Sequence, residues 1–195
     1  KTIKEDINIS HIPVILLTAR DDRQSQISGY KNGADGYLSK PFEVEMLMEL
    51  IRNRLKNREY TKKRYLNAGL IPTPEESTIS LTDETFLIKL NSIIQENIDN
   101  TNLGIQFICQ EVGLGRSSLY NKLKALTGMG ANEYISKLRI EKAITLISGT
   151  DMPFSEIAEK TGFTTPSYFS TAFKQYTGET PSQYKERKKK GLADK

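Results

Sequence analysis

The sequence predicts a mainly α fold: two helix-turn-helix subdomains joined by a long helix and preceded by a short, incomplete α/β segment. The first observation behind this is an internal repeat. Ile108-Cys109-Gln110-Glu111-Val112-Gly113-Leu114 returns as Ile157-Ala158-Glu159-Lys160-Thr161-Gly162-Phe163. Leu119, Leu123, Lys124, Thr127, Gly128 and Tyr134 then return as Phe169, Phe173, Lys174, Thr177, Gly178 and Tyr184, with one extra residue in the second turn. A recurring unit marks repeated supersecondary structure. A short helix, a Gly-containing turn and a second helix with a basic outer face is the helix-turn-helix pattern. The second observation is helical apolar spacing from Thr82 onward. The third is the continuous apolar run 13–19, which suits a strand buried on both faces of a parallel sheet.

The elements follow in order. After the strand at 13–19, Asp21 and Asp22 suit a helix N-terminus, where carboxylates meet free N–H groups. That helix, over 22–32, ends at Asn32-Gly33. Residues 36–40 form a second strand, stopped by Pro41. A helix over 43–58 carries Met46, Leu47, Leu50, Ile51 and Leu55 at helical spacing. Residues 59–81 read as linker, because Pro72 and Pro74 forbid continuous helix. From Thr82, a predicted N-cap, a first helix carries Phe86, Leu87, Leu90, Ile93, Ile94 and Ile98. The first hairpin spans 104–128, the linking helix 131–148 stops at Gly149, and the second hairpin spans 154–178. Thr180-Pro181 opens a last helix, with Pro in its first turn, and the basic tail Lys185–Lys190 is expected to fray.

Composition narrows the function. The chain has 195 residues, 37% of them hydrophobic and 27% charged, enough for one or two domains with real cores. One Cys and one His exclude a disulfide framework and a zinc cluster. Cys109 aligns with Ala158 and reads as a small buried packing residue. His11 enters a strand and reads as a strand-edge residue, not a phosphorylation site. No phosphate loop or nucleophile–base set is visible, no small-molecule ligand is evident, and no cofactor is expected. No run of 18 apolar residues and no signal peptide is present, so a cytoplasmic location is expected. A chain that opens at Lys1 without Met reads as a piece of a longer protein. The net charge of +4 is uneven: residues 101–195 carry 14 Lys and Arg against 9 Asp and Glu. Excess cation beside the repeat favours a polyanion through counterion release.

Within each hairpin the second helix separates into two faces. Leu119, Leu123 and Leu126 share one face and belong to the core. Arg116, Ser117, Tyr120 and Asn121 lie elsewhere, with Lys124 further along. A recognition helix places its outward N-terminal residues on base edges in the major groove. There Arg suits guanine and Asn adenine, while a lysine further along suits phosphate. In the second hairpin Phe169 and Phe173 are core, Thr165, Ser167, Ser170 and Thr171 are the candidate readers, and Lys174 faces phosphate. This hydroxyl-rich set leans on phosphate, water or DNA shape. A linking helix of about 18 residues is roughly 27 Å long, somewhat short of the roughly 34 Å between successive groove faces.

Residues 82–190 resemble the DNA-binding domain of the AraC/XylS family of transcription regulators. The resemblance rests on Glu156-Ile157-Ala158, Gly162-Phe163, Ser167-Tyr168-Phe169, Phe173-Lys174, Thr177-Gly178, Pro181 and Tyr184, and on the run Ser117–Gly128. It implies a bipartite helix-turn-helix on double-stranded DNA. The family's readers map onto Arg116, Ser117, Tyr120 and Asn121, and onto Thr165, Ser167, Ser170 and Thr171.

Residues 1–58 resemble the C-terminal part of a response-regulator receiver domain, through Ile12-Pro13-Val14-Ile15-Leu16-Leu17-Thr18-Ala19, Gly33-Ala34-Asp35-Gly36-Tyr37 and Lys40-Pro41-Phe42. The resemblance assigns phosphoryl contact to Thr18 and Lys40 and the aromatic switch to Tyr37, and implies a cis Lys40–Pro41 peptide. A hydroxyl donor and a fixed cation suit a new dianion. The acceptor aspartate and acidic pair of a receiver would lie before Lys1. Asp21, Asp22 and Asp35 read as caps and turns, so no phosphorylation is expected here, and Mg would be needed only by an intact receiver. A truncated receiver with an unpaired apolar edge is expected to be poorly ordered or packed on another copy as a homodimer. The arrangement resembles the end of a Bacteroidetes hybrid two-component sensor histidine kinase, the cytoplasmic end of a membrane-bound parent. The expected function is sequence-specific transcription regulation as a phosphorelay output, acting on the transcription machinery. The alternatives are a part of a larger kinase polypeptide whose enzymatic activity lies elsewhere and a pure interaction module.

Overall fold

The structure is a computed structural model that describes residues 2–19, 22–68 and 81–193. The chain divides into two compact units, Lys1–Lys89 with Leu114–Met129, and Leu90–Gly113 with Gly130–Lys195.

The first unit contains the α/β segment: α1 (Thr2–Glu5), β1 (Ile15–Thr18), α2 (Arg23–Lys31), β2 (Gly36–Ser39) and α3 (Val44–Ala68). The two strands pair in parallel, with Ile15 opposite Gly36 and Thr18 opposite Ser39. Gly29 of α2 lies against Leu16 and Tyr37, while Leu50 of α3 lies against Gly36 and Ile15. Because neighbouring residues of a strand point to opposite faces, α2 touches one face and α3 the other, each over part of it. The caps follow the sequence closely. The Asp22 carboxylate accepts from the Ser25 N–H at 2.7 Å, and Asp35 is a turn residue whose carboxylate accepts from the Val14 N–H at 2.7 Å. Asp21 lies outside the described residues. The Lys40–Pro41 peptide is cis, as the resemblance implies.

Two expectations change here. The 13–19 run is not buried on both faces: Leu16 and Leu17 are 37% and 44% exposed, since the two-stranded sheet gives β1 only one neighbour. The predicted linker 59–81 is helical through Ala68, because no Gly or Pro interrupts Lys, Arg, Glu and Leu, all good helix formers. Its remainder, 69–80 with both prolines, lies outside the described residues. Within this unit α3 lies against α6 (Arg116–Thr127).

Helix α4 (Leu81–Glu96) begins in the first unit and ends in the second. Thr82 is not its cap. It sits in the first turn and donates its hydroxyl to the Lys4 carbonyl at 3.0 Å.

The second unit holds α5 (Ile105–Val112), α7 (Ala131–Gly149), α8 (Phe154–Lys160), α9 (Pro166–Thr177) and α10 (Pro181–Ala193). Its core gathers Ile140, Ala143, Ile147, Ile157, Ala158, Phe163, Phe169, Phe173 and Tyr184. The aromatic rings stack edge to face, with Phe169–Phe173 at 5.7 Å and Phe173–Tyr184 at 5.6 Å, a geometry that aligns ring edge with ring face. The first half of α7 faces α4: the Tyr134 hydroxyl donates to Asn91 Oδ1 at 2.8 Å. Burial pushes the Tyr134 phenol up to about 12. Arg139 donates to the Ile98 and Asn100 carbonyls at 3.2 and 2.6 Å and sits 5.9 Å from the Phe163 ring centre. It ties the loop after α4 to the turn of the second hairpin. Cys109 is only partly buried, less than the packing expectation, whereas its repeat partner Ala158 is buried.

Candidate nucleic-acid interface

The two recognition helices, α6 and α9, are each 12 residues long. Both end in the same way. The Thr127 hydroxyl donates to the Leu123 carbonyl at 2.8 Å, and the Thr177 hydroxyl to the Phe173 carbonyl at 2.8 Å. Left-handed Gly128 and Gly178 then follow. The repeat read from sequence is therefore a repeat of geometry.

The turns before them differ. Gly113, at φ 71°, caps α5, and a side chain there would meet nothing within 4 Å. Gly162, at φ 72°, is walled in: a Cβ would come within 2.3 Å of the Ile98 carbonyl and 2.7 Å of the Arg139 guanidinium. The left-handed region alone favours glycine at both positions; at Gly162 space demands it as well.

On α6, Leu119, Leu123 and Leu126 are buried, while Arg116, Ser117, Tyr120, Asn121 and Lys124 are exposed. All five predicted residues thus lie on the outer side of one helix. On α9, Phe169 and Phe173 are buried, and Thr165, Ser167, Thr171 and Lys174 are exposed, with Ser170 half-buried. Three of its hydroxyls already serve the helix. Thr165 is the N-cap and accepts from the Tyr168 N–H at 3.1 Å. Ser170 donates to the Pro166 carbonyl at 2.9 Å and Thr171 to the Ser167 carbonyl at 3.1 Å. Ser170 and Thr171 keep acceptor capacity but spend their protons internally, whereas Thr165 gives the helix an acceptor and keeps its proton. Tyr168, which the sequence reading did not select, stands 56% exposed beside them. Helix α6 opens without a side-chain cap, at Gly115.

The sequence reading also missed Lys122. It is fully buried on α6 and forms an ion pair with Asp83 of α4. Lys122 Nζ donates to Ser10 Oγ at 2.7 Å, and Ser10 Oγ donates to Asp83 Oδ1 at 2.7 Å. The Phe86 ring lies 5.1 Å from the ammonium. The signal was available: Lys122 falls three residues after Leu119 and four before Leu126, so it occupies the apolar stripe.

In the α/β segment, Thr18 and Lys40 come together at the C-terminal ends of the strands, where the Lys40 N–H donates to the Thr18 carbonyl at 2.7 Å. Tyr37 lies two rows inside the Thr18–Ser39 row, opposite Leu16. Among the described residues no His, Cys, Asp and Glu group could hold a metal, and no helix is long and apolar enough to cross a membrane.

Comparison with known proteins places the chain. A family model described as a helix-turn-helix domain matches residues 108–187. Histidine kinase P4 of Formosa agariphila is 42% identical over 185 residues, which is 95% of this chain and 13% of that protein; the chain thus spans a small part of that relative. The C-terminal domain of AraT, a response regulator from Geobacillus stearothermophilus, is 30% identical, with a TM-score of 0.50 over 52% of this chain and 84% of that one. A Chromobacterium violaceum regulator described by its AraC-type DNA-binding domain shares the fold at 24% identity and TM-score 0.50, over 54% of this chain and 93% of that one. The repeated helix-turn-helix geometry and these matches together show that the chain belongs to the AraC family, with an AraC-type helix-turn-helix domain as its helical part.

Proposed function

We propose that residues 82–190 bind double-stranded DNA sequence-specifically, with α6 and α9 entering two successive major grooves. The observation that carries this reading is the exposed row Arg116, Ser117, Tyr120, Asn121 and Lys124 on a helix whose inner row is buried. Arg116 and Asn121 supply bidentate donors for guanine and adenine. Lys124 and Lys174 supply cations for phosphate. The hydroxyls of α9, engaged with their own helix, suit water-mediated or shape readout. Selection of bound sequences from a random DNA pool tests the proposal. Two half-sites about 10 base pairs apart support it, and a pool that enriches nothing sinks it.

A second reading concerns the α/β segment and rests on the juxtaposition of Thr18 and Lys40 at the strand ends, with Tyr37 two rows further in on β2. In this reading the segment is the end of a receiver whose phosphorylation, with Mg, controls pairing of two copies and presentation of the AraC-type domains to the transcription machinery. The parent is a hybrid kinase polypeptide, as the 42% identity to a histidine kinase supports. The catalytic activity belongs to parts of that parent outside these residues. Measuring ATP turnover and phosphotransfer in the full-length parent tests it; a parent that neither turns over ATP nor accepts phosphate defeats it.

A further inference from the structure

The Lys122 ammonium, buried on the inner side of the proposed recognition helix, is the end of a polar chain that begins at the parallel sheet. At the sheet, the Asp35 carboxylate holds the Val14 N–H and pairs with Lys4 Nζ at 2.7 Å. The same ammonium donates to the Ser10 carbonyl at 3.2 Å and the Ile12 carbonyl at 2.9 Å, which fixes the loop between α1 and β1. The Lys4 stem is itself seated, because a Cβ on left-handed Gly33 would come within 2.9 Å of its Cγ. That loop presents Ser10, fully buried, to Asp83 and Lys122. A second strut runs from the Thr82 hydroxyl to the Lys4 carbonyl.

We propose that this chain, Asp35–Lys4–Ser10–Asp83–Lys122, makes Lys122 a positioning residue that sets the seat of α6 from the sheet, so that the α/β segment acts on DNA reading from behind the helix rather than by covering it. Two facts separate this from occlusion. Arg116, Ser117, Tyr120, Asn121 and Lys124 remain exposed while the inner side of the same helix is held. A buried ammonium also has few satisfactory arrangements, because each donor must find a partner away from water. Moving Ser10 therefore forces Lys122, and α6 with it, to re-seat. A chain of this kind transmits only if changing one end alters the other, which is the physical criterion for coupling.

The inference rests on α6 being the DNA reader, so its test has one arm that needs no DNA. In the whole chain, Lys4→Met and Asp35→Asn both sever the sheet end without touching α6. Asp35→Asn keeps an acceptor for the Val14 N–H. We expect each to raise amide hydrogen exchange across Leu119–Leu123 about fivefold, leaving Ile157–Phe163 of the other hairpin unchanged. Lys4→Met combined with Ser10→Ala should add nothing to Ser10→Ala alone, since members of one chain are non-additive. The ratio of selected to random DNA affinity should fall about threefold in Lys4→Met, whereas loss of mere packing would leave it intact. Wild-type exchange in α6 for both sheet-end variants overturns the proposal, as does full additivity. Failure of the DNA reading has a different signature: Arg116→Ala then weakens selected and random DNA equally while the exchange result stands.

Discussion

The two hairpins share a plan and differ in what holds their recognition helices. In the second, α9 rests on hydrocarbon: Phe169, Phe173 and Tyr184 stack edge to face, and Ala172 packs against that cluster. In the first, smaller Leu119 and Leu123 take the phenylalanine positions, and Lys122 with Asp83 stands where the second has Ala172. The outer faces are complementary in the opposite sense. Helix α6 offers Arg116 and Asn121 from an end without a side-chain cap, whereas α9 is capped by Thr165 and turns the Ser170 and Thr171 protons inward. One recognition helix rests on non-directional apolar contact, and the other adds a directional polar contact to its buried leucines. The non-directional one tolerates small shifts, while the polar one specifies a seat.

The contrast is broken most strongly at Asp83. Asp83→Ala leaves a buried ammonium without its counter-ion and should cost ~3–5 kcal/mol in chemical denaturation. Asp83→Leu combined with Lys122→Met, which converts the first hairpin to the apolar plan of the second, should recover most of that. A loss below ~1 kcal/mol for the single variant, typical of an exposed pair, contradicts the buried-pair account. Next come the turns. Gly162→Ala meets both backbone strain and the Ile98 carbonyl and should cost ~2–4 kcal/mol, while Gly113→Ala, in open space, should cost ~1 kcal/mol. Equal melting-temperature shifts for the two would refute the difference in their surroundings. Arg116→Ala should lose ~1–3 kcal/mol of binding to a selected site and relax its sequence preference, measured by titration against selected and scrambled duplexes. The smallest effect is at the lysines: Lys124→Ala and Lys174→Ala should each reduce the slope of log affinity against log salt by about 1, on any sequence. An unchanged slope removes that residue from the phosphate contacts.

The two hairpins, the linking helix α7 and the start of α10 were legible in the sequence to within a residue or two, because apolar spacing, the Gly113 and Gly162 turns and Pro181 all act locally; the basic tail, expected to fray, is instead helical to Ala193. The two strands were legible as strands, but their parallel pairing was not: 13–19 was expected to present an unpaired edge, and it pairs with β2 instead. What escaped depended on tertiary context. The continuation of α3 through Ala68 hid behind charged residues that read equally well as solvated linker. Thr82 has the chemistry of a cap but found the Lys4 carbonyl instead. The exposed rows of α6 and α9 followed from helical phase alone. The role of Lys122 needed Ser10 and Asp83, which lie 112 and 39 residues away in sequence, and no local pattern brings those three together.

The internal bonds of the α9 hydroxyls bear on how such a protein changes its target. Replacing Thr165 removes a helix cap, worth ~1 kcal/mol. New side chains at Ser170 or Thr171 also give up bonds made within the helix. Positions 116, 117, 120, 121 and 124 of α6 lie outside its buried row. Drift in binding preference can therefore accumulate on the first helix at little cost to folding, while the second stays constrained. Related regulators that answer to different operators should diverge first on α6.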